Sequence, residues 1–283
     1  MTEPVKEASA IPTASPSGRL LFSSKPFTFE LFQLWFVTLA FGLVFLAANR
    51  LGLGAADPNR VRLVFSTFVI INIAGAFMAF QGWKQIPTRG RVYDLALFLS
   101  MALLCAAIAN SLDLILWAAG AYPIKTSVFP NIFFVFALVF GLLGIFKLAQ
   151  LCLVTPGLLT AAIFSLLVAL FLLIPYKFNS TLFGSIPNLE NQKEFLFGML
   201  YSFVIAFIGS VCAQIMISSR GFFRLPAQFI CVGTIGLSFG CSIYGAQFLI
   251  LDTMSVSASP VHVILGLSYV SIGLGVYRLG NVV

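Results

Sequence analysis

"VRLVFSTFVIINIAGAFMAFQGWKQIPTRGRVYDLALFLSMALLCAAIANSLDLILW", Val61 to Trp117, holds two long apolar runs divided by one short basic turn. A helix that crosses a bilayer needs about 20 mostly apolar residues, and each run supplies that many. Inside hydrocarbon every backbone N–H and C=O must be paired within its own segment, so both runs read as helices. The turn "TRGR" at Thr88 to Arg91 sets Arg89 beside Gly90, a residue free to adopt positive φ in a tight connection.

The rest of the chain has the same character. Of 283 residues, 60% are hydrophobic and only 9% charged, with 31 phenylalanines, and the mean hydropathy is +1.03. A soluble domain carries about 25% charged residues, so this chain cannot cover a water-facing surface. The expected fold is all-α: a polytopic helical membrane protein of about eight spans. They are placed near 29–49, 62–83, 93–119, 129–152, 157–175, 194–217, 225–251 and 260–279. In "VTPG", Thr155 is expected to cap the fifth span and Pro156 to open it. Residues 1–27, rich in Pro, Ser and Ala, read as a disordered tail.

The net charge of +7 comes from basic residues scattered singly between apolar runs. That pattern orients a chain in a bilayer and lacks the clustered face that nucleic acid requires. With eight spans, ten Lys and Arg fall on the side of the termini and six on the other, which favours cytoplasmic termini. "NRVR" at Asn59 to Arg62 runs against the bias. The five cysteines form no C-x-x-C or Cys/His cluster, so neither a zinc site nor a disulfide framework is indicated. No cofactor is indicated either.

An ungapped shift of 131 positions lays Thr88-Arg89-Gly90 on Ser219-Arg220-Gly221, and "GIFKL" at Gly144 on "GVYRL" at Gly275. The chain therefore reads as two four-helix units in the same orientation, 28–153 and 154–283, after the 1–27 tail. An even number of spans per unit requires that shared orientation. Arg89 with Gly90 and Arg220 with Gly221 then mark equivalent cytoplasmic turns.

Acidic residues within hydrocarbon are costly and mark functional sites by default. Asp113 qualifies, with Asn110 one turn before it and Trp117 one turn after, near one helical face. Two roles are open to this group: binding a polar ligand or proton, or locking helices together by hydrogen bonds. Asn72 is a second isolated polar residue. The matching stretch of the second unit offers Tyr244 and Gln247 but no acid. His262, the one histidine, reads as structural. Walker, G-x-S-x-G and H-E-x-x-H motifs are absent, so the chain reads as non-enzymatic.

The stretch "GWKQIPTRGRVYDLALFLSMALLCAAIANSLDLILW" resembles the multipass sensory modules that precede bacterial histidine kinases and diguanylate cyclases. The likeness lies in Trp83, then basic Arg89 and Arg91, then a span closing in Asp113 and Trp117. It implies eight spans made of two fours in a bacterial inner membrane. It also implies an output domain after the last span. Here the chain stops soon after "YRLG", so either the output domain has been lost or is supplied by a membrane-protein partner, or the protein is of another kind. The leading expectation is a sensory or partner-binding module. A transporter or channel subunit, and a structural subunit of a larger membrane complex, are the alternatives.

Overall fold

The computed structural model describes residues 28–54, 57–87, 90–119, 128–168, 189–219, 223–250 and 260–282. The tail 1–27, Arg89, Arg220 and Gly221 lie outside the described residues, as do the side chains of Tyr244 and Gln247. The described residues form eight α-helices and no strand. They are α1 Thr28–Arg50, α2 Pro58–Gln85, α3 Arg91–Ala118, α4 Val128–Leu151, α5 Leu158–Val168, α6 Leu189–Ser218, α7 Arg224–Ile250 and α8 Val261–Val282. Among the described residues, six helices (α1, α2, α3, α4, α7 and α8) are long and apolar enough to cross a membrane. Leu158–Val168 and Phe203–Ser218 are shorter apolar helices.

Local chemistry sets the helix ends. The chain leaves α1 through Gly52 at φ 69°, with Leu53 N–H bonded to the Ala48 carbonyl at 3.0 Å, a Schellman stop that favours glycine. Asp57 then caps α2, accepting from the Asn59 N–H at 2.8 Å, and Pro58 takes the first turn. These signals start α2 four residues ahead of the apolar run expected at 62. The fifth helix corrects the sequence reading in the other direction. Thr155 and Pro156 stay outside it, and α5 begins at Leu158. Its cap comes from another helix: the Gly157 N–H donates to Gln214 Oε1 of α6 at 2.6 Å, and Gln214 Nε2 lies 3.4 Å from the Gly157 carbonyl. Gln214→Ala is expected to lower the unfolding free energy by about 1 kcal/mol, the usual cost of a lost N-cap. The denaturation midpoint in detergent reads this, and an unmoved midpoint would show the cap to be idle.

The helices pack as a ring: α2 on α3, α3 on α4, α4 on α6, α6 on α7, α7 on α8 and α8 back on α2. Helix α1 lies outside it, against α2 and α8. One end of the ring carries Asp113, Arg62 and His262. The other carries Lys147, whose Nζ lies 3.0 Å from Asp94 Oδ2 of α3.

The α2–α8 seam is closed by glycines. Gly75 backs onto Gly273, and Gly82 onto Gly280 and Tyr277. The numbers rise together along both helices, so α2 and α8 run parallel, backbone against backbone. In a membrane, where lipid tails are as apolar as leucine, such close packing is what holds helices together.

Contacts at related positions resemble each other. Gly144 of α4 faces Leu99 of α3, and 131 positions on, Gly275 of α8 faces Ile230 of α7. Gly141 faces Ala102, and the positions 131 further on, Ile272 and Gly233, also face each other. Lys147 reaches α3 at Asp94, while Arg278 lies over the Phe229 ring of α7, 5.8 Å from its centroid.

Candidate functional site

Helices α2, α3 and α8 meet around the polar residues of α3. Asn110 and Trp117 are buried and Asp113 is half-buried, all in the last turns of α3. Asn110 Nδ2 donates to the Ala106 carbonyl at 2.9 Å. Tyr269 of α8 comes near its side chain. Asp113 Oδ1 is buried without a partner among the described residues. Arg62 of α2 lies over the Trp117 ring, 5.2 Å from its centroid. That cation–π contact contributes about 0.5–1 kcal/mol at an exposed site.

An aromatic block sits beside this group. Phe68 of α2 meets His262 edge-on at 5.1 Å and Tyr269 at 5.9 Å, and Phe65 meets His262 at 6.0 Å. His262 is buried, packed as a core residue of the α2–α8 seam. Asn72 lies one turn beyond Phe68 on α2 and is fully buried. Neither its Oδ1 nor its Nδ2 has a partner among the described residues.

The basic residues that run against the charge bias have local work. Arg60 Nη1 donates to Asn49 Oδ1 at 3.1 Å and to the Leu53 carbonyl at 3.2 Å, closing the α1–α2 connection. At the opposite end, Gly90 precedes α3 with φ 136°, a backbone that L side chains rarely adopt.

Inside the ring lies a cavity of about 70 Å³. Its wall includes Leu103, Ala106 and Leu138 from α3 and α4, with Thr234, Leu237 and Tyr269 from α7 and α8. Each of the first three is 131 positions from its counterpart in the second three. The wall is largely apolar, and the Thr234 hydroxyl is already bonded to the Ile230 carbonyl at 2.7 Å. Tyr269 is shared: it lines the cavity and reaches Asn110. The sequence reading did not single it out. Its signal was a tyrosine in the middle of an apolar span.

No cluster of His, Cys, Asp and Glu able to hold a metal ion exists among the described residues. No protein family, curated protein or solved structure matches the chain.

Proposed function

We propose that the chain is a non-enzymatic sensory or partner-binding module of the membrane. In this reading all eight helices span a bacterial inner membrane, as two tandem four-helix units with both termini cytoplasmic. The matched contacts of Gly144 with Leu99 and Gly275 with Ile230 support the tandem arrangement. A small cation or proton binds from the non-cytoplasmic side among α2, α3 and α8. Binding shifts these helices slightly against one another, and a partner membrane protein reads the shift at the cytoplasmic turns near Arg89 and Arg220.

The observation that carries this reading is Asp113 Oδ1, a carboxylate oxygen buried within a span and left without a partner. Such a group is costly in hydrocarbon unless a ligand uses it. On α3 Asn110 lies one turn before it and Trp117 one turn after, and Arg62 of α2 lies over the Trp117 ring.

The test uses spin labels on Pro87→Cys and Arg224→Cys, both exposed at the turns, in liposomes. The label distance is expected to change on adding protons, Na⁺ or K⁺ at the Asp113 side, and to stay fixed in Asp113→Asn. A wild-type distance insensitive to all three, or an Asp113→Asn variant that responds equally, would defeat the reading.

The cavity inside the ring favours a second reading, a transporter with its passage between the two units. Under it, the same liposomes would carry an ion flux that Asp113→Asn abolishes.

A further inference from the structure

Asn72 stands fourteen residues after Pro58 and thirteen before Gln85, about 20 Å from either end of α2 at roughly 1.5 Å per residue. It is fully buried at the middle of a span, on the helix that joins the two halves of the ring. Its amide offers two donors and an acceptor oxygen with two lone pairs. Neither polar atom has a protein partner among the described residues. An unsatisfied polar group costs several kcal/mol in hydrocarbon. Folded proteins meet such a cost with ordered water where the surroundings offer two to four polar partners.

Other polar side chains lie toward the Asp113 end of α3. Asn110 and Asp113 stand eight and five residues before Ala118 on α3, about 12 and 8 Å below its end. Tyr269 comes from α8 beside Asn110, and Asp113 Oδ1 is itself unpartnered. On the other side of Asn72 the α2–α8 seam closes. A side-chain atom on Gly75 would stand 2.8 Å from the Tyr269 carbonyl oxygen, and Gly273 backs onto Gly75. Ser100, lower on α3, also has an unpartnered hydroxyl, but a helical serine can turn to the carbonyl four residues back and does not require water.

We propose that ordered water fills the α2–α3–α8 seam from Asp113 down to Asn72, a hydrated inlet sealed beneath by the Gly75–Gly273 contact. The direction of filling rests on the Asp113 site proposed above. A dry Asn72 beside an Asp113 that still drives the label distance defeats the inlet alone.

Asn72→Cys tests it, because only a thiol that meets water forms the thiolate that reacts with methanethiosulfonates. A membrane-impermeant reagent is applied to each side of oriented vesicles, with the wild type as blank. Ile73→Cys, at an exposed apolar position, serves as the lipid-facing control. Asn72→Cys is expected to react at least ~10-fold faster than Ile73→Cys, and only from the Asp113 side. No reaction in a folded variant, or reaction from the other side alone, overturns the proposal. The wild type gives an answer that needs no substitution to fold. In water-edited solid-state NMR, magnetisation from water is expected to reach the Asn72 side-chain amide about as fast as that of exposed Asn49. Build-up as slow as at the buried Gly75 amide overturns the proposal.

Discussion

Gly273→Leu is expected to abolish recovery of monodisperse, folded protein from detergent extracts. Gly273 backs directly onto the Gly75 carbonyl, so the added side chain meets backbone that cannot rotate aside. Extra methylenes in a packed core cost about 1–3 kcal/mol when side chains can yield. Here α2 and α8 must separate as whole helices, which also opens the Gly82–Gly280 contact seven residues on. The loss is then a large share of the roughly 5–15 kcal/mol that holds a typical domain folded. Gly42→Leu is the control, since a Cβ at Gly42 meets no atom within 4 Å outside its own helix. Size-exclusion profiles and limited proteolysis of the two variants decide the matter. Equal yields and equal protease resistance would show that the glycine seam is not what joins α2 and α8.

The second large effect concerns response rather than folding. Asp113→Asn keeps the volume and a hydrogen-bonding tip but removes the negative charge. If Asp113 only locks helices together, the amide replaces it at little cost, because interhelical polar contacts in membranes average about 0.6 kcal/mol. If Asp113 binds a cation or proton, the same variant folds normally and its label distance no longer moves. Asp113→Leu completes the comparison. A lock would lose stability with Leu and not with Asn, whereas a binding site would lose its response with both. Melting midpoints and spin-label distances for the three proteins separate the outcomes. A response that survives in Asp113→Asn excludes the carboxylate as the receiving group.

Helix positions were legible because most are long apolar runs: the expected segments overlap the eight described helices, six of which are long and apolar enough to cross a membrane. The ends were less legible, since capping overrode apolar content. Asp57 and Pro58 pulled α2 back to residue 58, and α5 waited for a glutamine supplied by α6. That glutamine lies 57 positions away in sequence, beyond the reach of any local signal. The grouping of Asn110 and Trp117 followed from helical spacing, and both are buried together. Tyr269 was missed because its role depends on α8 docking against α3, a contact between distant parts of the chain. The glycine seam was hidden for the same reason. Glycines seven apart occur on α2 at 75 and 82 and on α8 at 273 and 280, but nothing local says that the two sets meet. "NRVR" looked anomalous only while its arginines were counted as topology signals. Arg60 closes a turn and Arg62 covers Trp117.

The seam between α2 and α8 also sets a timetable. The ribosome completes α2 almost two hundred residues before it completes α8, so the glycine face and the Asn72 amide spend most of translation without their final neighbour. Contacts so distant along the chain form late. A nascent or truncated product lacking the last span would present a grooved, polar-marked surface to the bilayer, a mark by which quality-control proteases can recognise unfinished copies.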